Sequence, residues 1–429
     1  MKLHSSFQRF ADATNPDRLH AAFAAALRQR YDAGASLTDL QVSRVLPRAV
    51  AGFTIQYRIA WHDAAASLPR PLLWCGHLLG PDEPWPEHRA TSVVLEDLRL
   101  VVPVFPFDPA LVDLEASCTP EIERARLREL GAQHPLVCND VAWTSEVLSY
   151  RLERRCVIRC RSAAAPQERG VVVKAIRPRR VAMAHQALAR VECVAADGFA
   201  IPTTLAVDPI RGRIYSEESP GVAVHDLGPN ADVVAAYAAA GRALRALHAL
   251  PIGAGREATV GDELDRLRAR VELAGRMFPD SRETFEAAWL AMVEESAVLP
   301  PVAARTWIHG DFYDKQVLFD PDRTTVLDWD EMALGDPARD HGNFLAHVHL
   351  RAQQHPQRSV AFHAGGHAFE RGYGVRDDNF VVRSRWWCAA ALVRLATLYA
   401  LRPLWRSLAL PLLETSRCIH PESRRRIES

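Results

Sequence analysis

The stretch "WIHGDFYDKQVLFD" places an aspartate and an amide side chain at a spacing that suits phosphate chemistry. Asp311 and Gln316 are five positions apart, and "TTVLDWD" brings Asp328 and Asp330 shortly afterwards. The apolar runs "QVLF" and "TTVL" flank "DPDR", which predicts a β-hairpin that gathers these four side chains at one edge. A carboxylate beside a substrate hydroxyl, with oxygen ligands nearby for a hard divalent cation, is what phosphoryl transfer from a nucleotide requires.

A second group of residues is suited to holding the nucleotide itself. Lys174 ends the run "VVVK", which predicts a lysine at the end of a strand in mid-sheet, where it can neutralise the α and β phosphates. In "YSEESPG", a predicted strand runs out between sheet-rich and helix-rich sequence. Backbone groups at Glu217, Glu218 and Ser219 are suitably placed there to meet an adenine edge.

The elements that must position these residues follow one another in three blocks. A helix with apolar spacing at Leu19, Phe23 and Leu27 precedes a first block of mostly strands, and the second block contains strands with one helix. The third block is mostly helical, and its helix over 261–278 is predicted to have Asp262 as its N-cap. We therefore predict three domains, at residues 1–125, 126–220 and 221–429.

Taken together, these motifs resemble a known family. "HGDFYDKQ" followed by "DWD" and then "GDPARDHGNFL" is similar to the pattern of the aminoglycoside phosphotransferase and choline kinase family of small-molecule kinases. The resemblance implies an α+β, protein-kinase-like two-lobed fold. It makes Asp311 the catalytic aspartate, His309 a buttress of its loop, Lys174 the phosphate-binding lysine, and Gln316 and Asp328 the metal ligands, joined by Asp330. The implied cofactors are Mg²⁺ and ATP or GTP.

Residues 1–125 resemble the sheet-rich cap that precedes the N-lobe in maltokinase-like members, by position and composition. "SRVLPRAVAGFTIQYRI" also matches "SEVLSYRLERRCVIRCRS" about a hundred residues later, for example at Val45 with Val147 and at Ile55 with Ile158. This weak repeat raises the hypothesis that the cap is a diverged duplicate of the N-lobe sheet.

Three features depart from the family pattern. Gln316 stands where the family has Asn, and its amide oxygen is carried on one more methylene. The predicted nucleotide-cradling hairpin "LSYRLERRCV" has no glycine, so its arginines either contact phosphate or are solvated. The helix glutamate that should pair with Lys174 is uncertain, with Glu192 as the candidate and His185 or no partner as alternatives.

Composition bounds the remaining possibilities. Lys plus Arg and Asp plus Glu both total 52, so no net charge attracts nucleic acid or anionic lipid. The eight cysteines lack zinc-ligand spacing, and no run is apolar enough to span a membrane, so we expect a cytoplasmic protein with reduced thiols.

The resulting hypothesis is a kinase that phosphorylates a hydroxyl of a sugar, aminoglycoside or amino-alcohol-like small molecule. The acidic bias of residues 301–350 would suit a cationic acceptor, although catalysis itself accounts for several of these acids. The alternative is a pseudokinase-like protein that keeps the fold as a nucleotide-binding or scaffold module without transfer.

Overall fold

The computed structural model describes residues 2–31, 33–48, 52–62, 70–192, 198–228, 232–374 and 376–419. The described residues form two compact units. The first extends to Ala182 and also contains Thr204–Glu218 and Leu401–Leu404. The second contains Met183–Thr203, Ser219–Ala400 and the residues from Trp405. The sheet-rich first part and the helical later part confirm the predicted α+β organisation.

Two antiparallel five-stranded sheets dominate the first unit. The strands of the first sheet are β1 (Ser36–Pro47), β2 (Phe53–His62), β3 (Arg70–Leu78), β4 (Ser92–Leu95) and β5 (Leu100–Pro103). The strands of the second sheet are β6 (Trp143–Arg151), β7 (Arg155–Ser162), β8 (Val171–Ile176), β9 (Thr204–Asp208) and β10 (Arg213–Glu217). The strand orders, β1-β2-β3-β5-β4 and β6-β7-β8-β10-β9, are the same when each sheet is numbered from its own first strand.

The predicted repeat falls on equivalent positions of these two sheets. Val45 lies opposite Ile55 across β1 and β2, and Val147 lies opposite Ile158 across β6 and β7. Residues that match in sequence are therefore cross-strand partners in both hairpins. This correspondence supports the hypothesis of a duplicated sheet.

Helices accompany the sheets of the first unit, namely α1 (Lys2–Ala13), α2 (Pro16–Arg30), α3 (Leu114–Ser117), α4 (Pro120–Glu129) and α5 (Pro135–Cys138), and α6 (Pro178–Glu192) follows β8. Helix α2 confirms the prediction from apolar spacing. Its N-cap Asn15 accepts a hydrogen bond from the backbone of Asp17, and Phe23 on its buried face packs against Tyr57 and Trp74. The predicted boundary at residue 125 falls inside α4.

The second unit is mainly helical, with α7 (Val233–His248), α8 (Val260–Met277), α9 (Arg282–Ser296), α10 (Ala338–Gln354), α11 (Ser359–Tyr373), α12 (Asp378–Ala400) and α13 (Ala409–Cys418). Its short strands are β11 (Val222–Ala223), β12 (Thr306–Ile308), β13 (Val317–Phe319), β14 (Thr324–Val326) and β15 (Ala333–Gly335). One large apolar core joins these elements, and the two adjacent tryptophans of α12, Trp386 and Trp387, are buried in it.

Two local predictions need correction. The N-cap of α8 is Thr259, and Asp262 is the third helical residue, where its carboxylate completes a capping box with Thr259. Lys174 lies inside β8 rather than at its end, because Ala175 and Ile176 continue the pairing with β7. The apolar residues that follow Lys174 are therefore part of the same strand.

The described cysteines are free thiols, and Cys156 and Cys160 are buried on one face of β7, as their spacing predicts. Burial raises the pKa of Cys160 to about 12. Cys193 lies outside the described residues. None of the helices in the described ranges is long and apolar enough to cross a membrane.

Candidate active site

The loop between β12 and β13 carries the predicted catalytic aspartate. Strand β12 ends at Ile308 and β13 begins at Val317, so His309, Gly310 and Asp311 come directly after a buried strand. Gly310 has φ +83°, and a Cβ at this position would lie 2.4 Å from the carbonyl oxygen of Glu331. Only glycine satisfies both conditions without strain, which explains the Gly of "HGD".

Asp340, at the start of α10, holds this loop in place. Its carboxylate accepts hydrogen bonds from the backbone N–H groups of His309 at 2.6 Å and Gly310 at 2.9 Å. Its Oδ2 also lies 3.4 Å from Nε2 of His248 on α7. Burial by itself would raise the pKa of Asp340, but the hydrogen bond from His248 and the backbone hydrogen bond from His309 help to outweigh it and lower this pKa. The carboxylate is thus kept ionised to bind the loop, which is a structural role.

His309 positions Asp311 through both nitrogens of its ring. Nε2 donates to the carbonyl of Leu327 at 2.7 Å, and Nδ1 accepts from the backbone N–H of Asp311 at 3.3 Å. The side chain is completely buried and packs against Trp329. His309 therefore connects the loop to the strand that precedes Asp328, and it is a positioning residue.

The predicted metal ligands flank one end of the β13–β14 hairpin. The backbone N–H of Leu327 donates to the carbonyl of Gln316 at 2.8 Å, and Asp328 follows directly. Asp328 has φ +62° and ψ +65°, a left-handed conformation that non-glycine residues adopt rarely and often at functional sites. Asp330 lies in the short 3₁₀ turn after it. This backbone strain at Asp328 had no signal in the sequence.

The donor set of this hairpin end suits magnesium. Among the described residues, no group of three or more His, Cys, Asp or Glu side chains is arranged to hold a metal by itself. Mg²⁺ in phosphotransferases takes one or two carboxylates from the protein and fills its shell with phosphate and water oxygens. Asp328, Asp330 and the amide oxygen of Gln316 are oxygen donors of this kind, so the residues present fit the ion.

A buried ion pair between the loop and α10 was not predicted from the sequence. Asp314 accepts from Nε of Arg351 at 2.6 Å and from Nη2 at 3.2 Å. The backbone carbonyl of Asp314 also accepts a hydrogen bond from the backbone N–H of His225. The attraction of Arg351 and hydrogen bonds from His225 and Arg351 overcome burial and lower the pKa of Asp314. The pair fixes α10 to the residues between Asp311 and Gln316.

Asp336 has a similar structural role after the metal site. It accepts from the backbone of Ala338, from Arg383 at 3.1 Å and from the indole of Trp387 at 3.0 Å. These contacts fix the start of α10 against α12.

The predicted nucleotide residues lie on the second sheet of the first unit and just beyond it. Lys174 is half-buried on β8, opposite Val157 on β7 and Ile214 on β10. Glu218 follows β10, and its carboxylate accepts from Arg161 at 2.5 and 2.8 Å and from the backbone of Gly170 at 2.9 Å. Its own N–H donates to the carbonyl of Gly170. The carboxylate and the backbone N–H of Glu218 are thus both engaged in hydrogen bonds within the first unit. Of its backbone groups, only the carbonyl is left for the predicted contact with adenine.

The other predicted residues of this group are more scattered. Glu217 pairs with Val171 on β8, and Ser219 is the first residue of the long Ser219–Ala400 segment of the second unit. Glu192 is the exposed last residue of α6 and lines a cleft of about 730 Å³ in the second unit, together with Arg242 and Arg323. Lys174 belongs to the first unit, so its pairing with Glu192 stays a prediction.

The tip of the predicted nucleotide-cradling hairpin is held by residues from the first hundred or so positions. Leu152 is buried, and Glu153 has φ +57°. The backbone N–H of Glu153 donates to the carboxylate of Asp108 at 2.8 Å. The carboxylate of Glu153 lies 3.2 Å from His77 and 3.0 Å from Arg177. The hydrogen bond from His77 is the main cause of the lowered pKa of Glu153. Glu153 was not among the residues predicted from the sequence, where only the arginines of this hairpin stood out.

Comparison with known proteins agrees with this arrangement of motifs. The model of the phosphotransferase enzyme family, APH, matches residues 114–377. No curated protein matches the chain. The family match begins at residue 114 and does not include the first sheet, so the maltokinase-like cap stays a prediction.

Several solved structures are similar at low identity. A choline/ethanolamine kinase family protein from Mesorhizobium loti is 15% identical with a TM-score of 0.48, covering 70% of this chain and 95% of that one. The macrolide 2'-phosphotransferase MphH from Brachybacterium faecium is 20% identical with a TM-score of 0.43, covering 67% and 97%. The aminoglycoside phosphotransferase APH(3'')-Id from Streptomyces rimosus is 19% identical with a TM-score of 0.44, covering 67% and 98%.

These similarities are too distant to identify a substrate. The family match, in contrast, spans well over half of the chain and includes both the "HGDFYDKQ" loop and the "DWD" segment. The chain therefore belongs to the phosphotransferase enzyme family and has its kinase-like α+β fold.

Proposed function

We propose that the protein transfers the γ-phosphoryl group of ATP or GTP to a hydroxyl of a small molecule, with Mg²⁺ as cofactor. The observation that carries the proposal is the loop that contains Asp311. Asp340 holds this loop by hydrogen bonds to His309 and Gly310, and the loop leads into the hairpin that is followed by the strained Asp328. The hydrogen bonds of the buried His309 connect the backbone of Asp311 to the backbone of Leu327, the residue before Asp328. A protein without transfer activity has no need to maintain a left-handed aspartate at this place.

Each predicted residue has a separate task in this reaction. Asp311 accepts a hydrogen bond from the acceptor hydroxyl, orients its oxygen towards the γ-phosphorus and takes up its proton. Lys174 neutralises the α and β phosphates, and Glu192 is its proposed partner. Backbone groups at Glu217–Ser219 contact the adenine edge.

Gln316, Asp328 and Asp330 are the proposed magnesium ligands. When bound, the ion neutralises negative charge that develops on the transferring phosphoryl group. The role of the protein is to hold these oxygens at the end of the β13–β14 hairpin, next to the loop of Asp311.

The proposed partners are limited to small molecules, without nucleic acid or membrane, and the proposed location is the cytoplasm. The free thiols of the described cysteines support a reducing compartment. Sugars, aminoglycosides and amino alcohols form the first acceptor panel.

Replacement of Asp311 by Asn tests the proposal. The amide keeps the shape of the side chain but cannot take up the proton, so we expect nucleotide consumption across the acceptor panel to fall by about 10²- to 10⁴-fold. Asp322→Asn is the matched control, because Asp322 is exposed in the turn of the same hairpin. Equal turnover by the wild-type and Asp311→Asn proteins would remove Asp311 from the mechanism.

A thermal-shift titration with ATP or GTP, with and without Mg²⁺, separates the kinase from the scaffold alternative. A stabilisation that requires the metal is expected for the kinase. No shift with either nucleotide would favour a scaffold.

A further inference from the structure

Three arginines lie around one buried glutamate between three helices of the second unit, and a fourth, Arg270, follows Arg266 one turn later on the same helix. Glu263, Arg266 and Arg270 lie on α8, Arg339 on α10 and Arg394 on α12. The carboxylate of Glu263 lies 2.9 Å from Arg266, 3.5 Å from Arg339 and 3.9 Å from Arg394. We call these five residues the arginine cluster. With four guanidinium groups and one carboxylate, the arginine cluster has a local excess of positive charge.

Several donors of the arginine cluster are unsatisfied. Nε of Arg266 and Nε of Arg394 are buried and have no hydrogen-bond acceptor among the described residues. Burial and the charge of Arg394 lower the pKa of Arg270 to about 10, because the attraction of Glu263 does not compensate for them. Buried donors without acceptors are costly, and an anion between the helices would satisfy them.

The arginine cluster is connected to the proposed catalytic loop by one side chain. Arg394 donates to the amide oxygen of Asn343, and the amide nitrogen of Asn343 donates to the carbonyl of Phe312 at 2.9 Å. Phe312 directly follows Asp311. The guanidinium of Arg394 is therefore two hydrogen bonds away from the residue next to the proposed catalytic carboxylate.

Three buried acidic residues of 301–350 have partners within the fold, and the charge of one of them, Asp340, also attracts Arg339 of the arginine cluster. Asp314 is paired with Arg351, Asp336 with Arg383, and Asp340 with the backbone of the loop. These carboxylates are buried and occupied, so they are not placed to attract an amine. These three carboxylates therefore do not favour a cationic acceptor.

We propose that the arginine cluster binds an anionic group of the acceptor, a carboxylate or a phosphate, while the acceptor hydroxyl meets Asp311. Guanidinium groups bind both oxyanions through paired N–H donors. The inference rests on the proposed function and, among its acceptors, favours sugar-like hydroxyl compounds that carry a negative charge over aminoglycosides and amino alcohols.

Binding is tested first, without any turnover. The melting temperature is measured with sodium phosphate or sodium acetate against sodium chloride at equal ionic strength, for the wild type, Arg270→Gln, Arg270→Lys and Arg268→Gln. We expect one of the anions to raise the melting temperature of the wild type, and the stronger one identifies phosphate or carboxylate as the bound group. The shift should vanish in Arg270→Gln and persist in part in Arg270→Lys.

Arg268→Gln is the matched control. Arg268 lies on the same helix, but its side chain is 63% exposed and pairs with Glu272, away from the arginine cluster. It should keep the full shift. No shift with either anion in the wild type, or an equal shift in Arg270→Gln, would overturn the anion site.

Kinetics then test the link to the acceptor. Glucose, glucosamine, gluconate and glucose 6-phosphate share hydroxyls and differ in charge. We expect turnover to favour an anionic acceptor, and Arg270→Gln to raise its KM at least about tenfold with kcat and the KM for nucleotide unchanged. A wild type that prefers glucosamine would overturn the inference and leave the kinase function intact. An anion-induced shift that is lost in Arg270→Gln, without turnover of any acceptor, would keep the anion site and refute its role in phosphoryl transfer.

Discussion

At the scale of residues, Gln316 is the proposed magnesium ligand that departs from the family pattern. Its backbone carbonyl is fixed by Leu327, which sets the distance between the Gln316 amide and Asp328. Gln316 itself is 7% exposed, so its side chain is confined to the end of the β13–β14 hairpin. An additional methylene moves the amide oxygen by about one bond length, which this anchored backbone has to accommodate.

Replacement of Gln316 should show this directly. We expect Gln316→Ala to lower kcat by about 10²-fold, because a ligand of the charge-neutralising ion is lost, and to raise the Mg²⁺ concentration needed for half-maximal rate. Gln316→Asn should retain more activity than Gln316→Ala. The control is Gln357→Ala, since Gln357 is exposed after α10. Unchanged magnesium dependence in Gln316→Ala would exclude Gln316 as a ligand.

At the scale of elements, the β6–β7 hairpin shows how an arm without glycine is held. A glycine-rich loop adapts to phosphates through its flexibility, whereas this hairpin is fixed by contacts at its tip. Asp108 accepts hydrogen bonds from the backbone of Ala110, Leu111 and Glu153 and from the hydroxyl of Tyr150. The conformation of this hairpin is therefore fixed by hydrogen bonds to Asp108 and does not depend on a bound nucleotide.

Asp108→Ala should make the tip of the β6–β7 hairpin more mobile. Four donors lose their acceptor, so we expect the free energy of unfolding to fall by about 2–4 kcal/mol. Amide hydrogen exchange at residues 150–155 should increase more than at α2. Asp97→Ala is the control, because Asp97 is 58% exposed and its ion pair with Arg18 lies at the surface. Unchanged exchange at 150–155 would show that Asp108 does not hold the hairpin.

At the scale of the whole molecule, buried histidines couple stability to pH. Burial lowers the pKa of His341 and His347 well below the usual value of 6.5, and it lowers the pKa of His349 to about 4. The folded protein keeps these rings neutral, while the unfolded chain binds protons below about pH 6.5. Their contribution is therefore fully present above pH 6.5 and is lost as the pH falls towards the folded-state values.

We accordingly expect the urea midpoint to be lower at pH 5.0 than at pH 7.5. His349→Gln should reduce the difference between the two midpoints, because one proton-linked group is removed. His367→Gln is the control, since the side chain of His367 is 73% exposed. A midpoint that is the same at both values, or higher at pH 5.0, would contradict this linkage.

The sequence by itself determined the local elements and was sufficient to propose the reacting groups. Helix α2, the β13–β14 hairpin and the succession of sheet and helix follow from apolar spacing and turn residues, which act between near neighbours. The "HGD" and "DWD" motifs likewise place Asp311 and Asp328 within a short segment. Lys174 was assigned to the right strand, although not to the right position within it.

Only the tertiary structure decided how these groups are held. Asp340 lies 31 residues from His309, and His77 lies 76 residues from Glu153, so no local pattern links the partners. The arginine cluster likewise draws its charges from three helices that are separate in the sequence. Counting charges along 301–350 suggested that a cationic acceptor would suit the site, whereas packing pairs three of those acids, Asp314, Asp336 and Asp340, within the fold. The physical reason is that Coulomb attraction and hydrogen bonding depend on distance in space, which the chain sets only when its helices and sheets pack.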